Sequence, residues 1–246
     1  MTRFFTILFA FIFILRVQAQ DDKIYYFEDS DVKRSYFGIE ASFNPGVSSR
    51  NLIEQIQLEL NDSLSYNPGR AKSLFAYSYG ARLIISPSKS LDIRVGMNLR
   101  ANGFKQVDIG ITNGVDTVLA DIRTNVQTID IPIILAFKNG LGSDWKLEYG
   151  VGWELSFVRS YQNTYENVDN NLGLEIPDVI EYKDNVEGVK HGLIIQLGGA
   201  YVLNPKTSFF MLPNFRYMFS PLIKDGSQAK DAPYSIGLDM GFRYRF

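Results

Sequence analysis

Cysteine is absent from this 246-residue chain, and histidine occurs once. The first absence rules out disulfides, thiolate metal sites and thiol nucleophiles. The second leaves His191 as the sole imidazole for acid–base chemistry, and Gly192 and Leu193 follow it. No serine stands two residues away, as a lipid-hydrolysing barrel would need, and no base–nucleophile pair is built around it. No Gly-rich phosphate loop or metal-ligand spacing occurs, so neither an enzymatic role nor a cofactor is expected. Positive charge is not in excess either: 25 basic against 27 acidic side chains give a formal net charge of −2, and no nucleic-acid partner is expected.

Long apolar runs are also lacking. Only Phe4–Leu15 is continuous. It follows Arg3 and precedes Val17-Gln18-Ala19, the layout of a secretory signal peptide over residues 1–19. Its removal takes away Arg3 and Arg16, which leaves 23 basic side chains and a net charge of −4. No other run approaches the roughly 20 residues that a spanning helix requires, whereas "IDIPIILAFK" at 129–138 matches the roughly 9 to 11 of a tilted spanning strand. No Pro/Gly/Ser-rich linker divides the remainder, so residues 20–34 read as a periplasmic N-terminal segment and 35–246 as one β-domain.

What is present is period-two alternation. In "YSIGLDMGFRYRF" every second residue from Tyr234 to Phe246 is apolar or aromatic, and the residues between are small or polar. That is a strand with two unlike faces. "WKLEYGVGWELSF" from Trp145 and "SLDIRVGMNLRAN" around Leu91–Leu99 repeat it. Weaker copies at 35–43, 74–86, 122–138, 190–203 and 206–219 bring the number of predicted strands to eight. Pro132 should mark a bulge or local bend.

Alternation fits a soluble lipocalin-like barrel as well as a membrane barrel. Several predicted strands exceed ten residues, which suits a tilted crossing. The polar face carries Gly38, Gly80, Gly96, Gly150, Gly152, Gly198, Gly237 and Gly241, which would leave room in a narrow lumen for long charged side chains. The links alternate between short turns ("PSKS", "NGLGSD", "NPKT") and long segments at 44–73, 103–121, 158–189 and 220–232. Outward aromatics at Phe43, Phe75, Phe137, Trp145, Phe157, Phe209, Phe219 and Phe246 suggest interfacial girdles. The expected fold is all-β: an eight-stranded antiparallel up-and-down transmembrane β-barrel in the bacterial outer membrane, with short periplasmic turns and long extracellular loops.

Charges on the inward face should fill the lumen as a paired network of Glu40, Arg82, Arg94, Arg100, Glu148, Glu154, Asp239 and Arg243, with Glu40 bridging Arg82 and Arg243. In the loops, Thr112-Asn113-Gly114 suggests a hairpin that extends the flanking strands as a ribbon. "NLIEQIQLELND" fits a helix capped by Asn51 and a strand equally well. The acidic link 158–189 reads as a solvated loop, with a cation or partner site as the alternative. His191 should lie at the barrel rim.

The Ala-Gln end of the signal peptide, "IDIPIILAFK", the eight-strand spacing and the closing "GFRYRF" together resemble the PorT-like family of outer-membrane β-barrel proteins, whose namesake is associated with type IX secretion and gliding. The resemblance implies a non-enzymatic barrel with a structural, assembly-related, secretion-associated or partner-binding role. It implies outer-membrane lipid, the barrel assembly machinery and other envelope or secretion proteins as partners, with Phe246 as the assembly signal. The alternative is a narrow channel or small-ligand carrier.

Overall fold

The computed structural model describes residues 37–52, 58–61, 64–67, 70–112, 117–141, 144–166, 179–181, 188–219 and 231–246. The expected signal peptide and the expected 20–34 segment lie outside these residues. Eleven strands are described: β1 (Phe37–Leu52), β2 (Leu58–Asn61), β3 (Leu64–Asn67), β4 (Arg70–Ser88), β5 (Leu91–Thr112), β6 (Thr117–Gly140), β7 (Trp145–Glu166), β8 (Val179–Glu181), β9 (Val189–Val202), β10 (Thr207–Met218) and β11 (Asp231–Arg245). Eight of them form a closed antiparallel ring in which β1, β4, β5, β6, β7, β9, β10 and β11 each pair with their chain neighbours, and β11 pairs back onto β1. The short β2 and β3 add to the far end of β5, and β8 adds to β7.

The stagger of this ring sets its width. Partners traced from Ile39 run through Leu83, Val95, Ile133, Trp153, Leu193, Tyr217 and Tyr234 and return to β1 at Ser49, ten residues further on. With about 3.3 Å rise per residue and about 4.8 Å between strands, a ten-residue stagger over eight strands tilts them by roughly 40° and gives a backbone radius of roughly 8 Å. Such a ring has room inside for its own side chains and little else.

The two faces are inverted relative to a water-soluble protein. Phe75, Leu83, Met97, Phe242 and Phe246 are among many large apolar residues exposed on the outside, while Glu40, Arg82, Arg94, Glu148, Asp239 and Arg243 are buried within. A lipocalin-like barrel requires the opposite arrangement, so this is the transmembrane form. The turn 89–90, the end of β6 with the start of β7, and the turn 203–206 share one end with Phe37 and Phe246, and the Phe246 amide donates to the Phe37 carbonyl. The long links leave from the other end.

Two sequence expectations change, at Pro132 and Phe43, and the open choice at Asn51 is decided. Pro132 introduces no register shift: it stays opposite Glu154, and only the ladder to β5 lapses beside it before resuming in the same register. Pro45 and Pro213 behave alike, each keeping one ladder and interrupting the other, because a missing N–H removes a bond on one side only. The shift in that wall falls instead at Gln127/Thr128, where β7 inserts a residue at Arg159. Asn51 does not cap a helix. It lies in β1 opposite Ala232, and Leu58–Asn61 is a strand. Phe43 sits opposite Tyr79 and Met240, well inside the apolar belt, because β1 runs on to Leu52.

Candidate functional site

All eight side chains expected in the lumen are buried there, but they divide into two clusters. Register explains the lower one, at the short-turn end. Glu40 stands directly opposite Arg82 on one side and Arg243 on the other. Arg82 Nε lies 2.8 Å from Glu40 Oε1, and Arg82 Nη2 lies 2.6 Å from Asp239. Arg243 reaches Glu40 at 2.8 Å and Glu148 at 2.7 Å, and Arg94 holds the same Glu148 at 2.6 Å. Asp92 closes the floor, taking Lys138 at 2.6 Å and Arg245 at 2.9 Å and accepting a hydrogen bond from Ser86.

The upper cluster is separate. Arg100 bridges Asp130 at 2.9 Å and Glu154 at 2.7 Å, and Arg216 reaches Glu154 at 2.7 Å. Between the two clusters lie buried neutral amides, Asn98, Asn214 and Gln196, and Gln196 donates to Asp239. Sequence reading left Asp92, Asp130, Lys138, Arg216 and Arg245 out of the network. Asp92 and Asp130 carry the inward parity of Arg94 and Arg100, so parity alone could have added them. Lys138 and Arg216 share that inward parity on their strands and are likewise legible.

The wall behind the lower cluster is apolar. Ile84, Ile134, Ile194, Phe210 and Leu212 are fully buried, and the Arg243 guanidinium lies 5.0 Å from the Phe210 ring centroid. Ile134 and Ala136 point inward while Ile133 and Leu135 point outward, which accounts for an "IDIPIILAFK" segment that is apolar on both faces. Glycine lets the strands approach: a Cβ on Gly96 would meet the Ala81 carbonyl and the Arg82 side chain. Burying an unpaired charge costs several kcal/mol, and these carboxylate–guanidinium contacts offset much of that cost.

Beyond the ring, β5, β6 and β7 extend to 22, 24 and 22 residues, about twice a spanning length. With β2, β3 and β8 they form a sheet that stands off the long-link end of the barrel. One of its faces is buried, with Val107, Ile109, Ala120 and Ile122, and at its base Phe104, Val126 and Tyr161 pack together, with the Arg50 guanidinium 4.4 Å from the Phe104 ring centroid. Beneath it lies a small cavity of about 20 Å³, room for a single water, whose lining includes Arg100, Phe104, Val126, Glu154 and Arg216. Asp108 takes φ 58° where the β5–β6 register shifts. The hairpin residues Asn113 and Gly114 lie outside the described residues, as does most of the acidic link 158–189.

His191 stands outward on β9 opposite Leu155, with its ring 5.6 Å from that of Trp153, in the apolar belt. Among the described residues there is no group of three or more His, Cys, Asp or Glu placed to hold a metal. Outside the membrane, hydrogen bonds to Glu166 and Asp121 raise the pKa of the Lys105 ammonium above its ordinary value.

No family model and no curated protein matches the chain. Solved structures similar to it include Neisserial surface protein A, at 13% identity over 86% of this chain and 98% of that one, TM-score 0.45. A major outer membrane protein from Thermus thermophilus matches at 16% identity over 84% and 99%, TM-score 0.40. The outer membrane protease OmpT from Escherichia coli matches at 8% over 89% and 100%, TM-score 0.38. All three scores lie below 0.5, so the assignment rests on the ring itself: by its closure, its charged lumen and its apolar belt, the chain is an eight-stranded β-barrel of the bacterial outer membrane.

Proposed function

We propose that this barrel is non-enzymatic and PorT-like, that its lumen is a structural plug, and that its working surface is the sheet beyond the long-link end. The observation that carries the reading is the length of β5, β6 and β7. About half of each strand is not needed to cross a bilayer, and three short strands extend that surplus into a sheet. In this reading the short turns are periplasmic and the sheet is extracellular, available to other envelope or secretion proteins. Outer-membrane lipid covers the belt, and the barrel assembly machinery reads Phe246.

Replacing residues 107–121 by an Asn-Gly turn, which joins the paired Gln106 and Ile122, shortens the ribbon without touching the belt. Proteins that co-purify with the intact barrel from native outer membranes should be lost from this variant while its folded yield is maintained. Equal recovery with both forms would remove the sheet from the proposal.

A further inference from the structure

Just beyond the belt, on the outward face of one wall, cations gather on four adjacent strands. Lys72 on β4 is directly opposite Lys105 on β5, and Lys105 is opposite Arg123 on β6. Arg70 lies two residues from Lys72 on the same strand, and Arg159, the inserted residue of β7, is exposed five positions nearer the belt than Thr164, the residue opposite Arg123. Like charges placed directly across a sheet repel, and this chain carries net negative charge overall, so the row calls for counter-charge. Asp121 and Glu166 supply some: Lys105 Nζ lies 3.0 Å from Asp121 and 2.8 Å from Glu166, and Arg123 is 4.0 Å from Glu166. Both carboxylates stand further from the belt than the cations they meet. Among the described residues no carboxylate pairs with Arg70, Lys72 or Arg159.

Position narrows the kind of counter-charge these cations can meet. Phe75 and Phe157 end the outward apolar stripe on β4 and β7, with Lys72 three residues beyond the first and Arg159 two beyond the second. At about 3.3 Å per residue those cations stand roughly 5 to 10 Å past the apolar edge, the depth of a lipid headgroup. Lysine and arginine at that depth keep their stems on the apolar surface and their heads among the phosphates, and a guanidinium can bind one bidentately.

The geometry points to a binding surface for the headgroup phosphates of outer-leaflet lipid, formed by Arg70 and Lys72 on β4 and Arg159 on β7, with the partly neutralised Lys105 and Arg123 on the strands between them. This inference rests on the extracellular placement of the long links only for the choice of leaflet. Surface labelling tests that placement independently.

The test uses the full barrel in detergent micelles doped with a bis-phosphorylated glycolipid or with the same lipid after its phosphates have been removed. Lipid retained through purification is read by native mass spectrometry, and folding by the heat-dependent shift in electrophoretic mobility. Wild type should retain the phosphorylated lipid well above the dephosphorylated one. The variant R70Q/K72Q/R159Q should lose that preference by roughly a hundredfold, at about fivefold per cation, with its folded fraction unchanged. R70K/K72R/R159K should keep most of it. If the triple variant does not fold, the single variants K72Q and R159Q serve, each expected to lose about fivefold. Equal retention of both lipids by wild type, undiminished preference in folded variants, or equally tight binding of the soluble phosphorylated headgroup sugar would overturn the assignment.

Discussion

Arg243 and Glu40 stand opposite each other across the seam where the last strand meets the first, and both Nε and Nη2 of Arg243 donate to the same Glu40 oxygen, at 3.0 and 2.8 Å. The pair joins residues 203 positions apart in the chain. Ring closure and lumen filling therefore meet at one contact. Glu40→Gln should destabilise the inserted barrel by about 3 kcal/mol, because Arg82 and Arg243 each lose a buried partner. Arg243→Met should cost a similar amount, and the double variant should cost clearly less than the two together. Urea unfolding in lipid vesicles measures this cycle, and strict additivity would show that the pair does not act as a unit.

The lower lumen should be closed to ions. Arg82, Arg94 and Arg243 are fully buried and fill a ring only roughly 8 Å in backbone radius. Planar-bilayer recordings of the wild type should show no steady conductance. A steady wild-type current that grows in R82A/R243A would instead identify a pore.

Glycine substitutions should separate sharply by position. Gly96→Leu places atoms against the Ala81 carbonyl and the Arg82 side chain, whereas a Cβ at Gly140 meets nothing within 4 Å. The first should lower stability by about 3 kcal/mol or abolish folding, and Gly140→Leu should leave it unchanged. Fluorescence of Trp145 and Trp153, both on the lipid face, reports the transition. Comparable losses at both sites would indicate that close strand approach is not what selects glycine at 96.

Topology can be checked on living cells. Epitope tags within residues 163–172 should be labelled from outside, and tags within 140–143 should not. Labelling of the short turn alone would invert the barrel.

Deleting Phe246 should reduce the amount of inserted barrel several-fold while export across the inner membrane continues. Its ring packs 5.5 Å from that of Tyr244, and its amide holds the Phe37 carbonyl, so a change in folded stability must be measured alongside. Reduced insertion with unchanged stability of the folded fraction assigns the residue to assembly. Full insertion without it removes that role.

Alternation in the sequence determined the eight strands of the ring and which of their residues face inward, because side-chain direction in a strand has period two whatever the strand pairs with. It also placed Glu40 between Arg82 and Arg243, since counting from the short turns fixes register for neighbouring strands. Only the tertiary structure decided what depends on the stagger of the whole ring. A ten-residue shear displaces each strand relative to the next, so Arg100 meets Glu154 of β7, Arg243 meets Glu148, and the expected single network becomes two clusters with Asn98, Asn214 and Gln196 between them. The same stagger brings Lys72, Lys105 and Arg123 into one row. Their spacings along the chain, 33 and 18 residues, follow no period, because they are set by turn lengths and three register shifts rather than by a repeat.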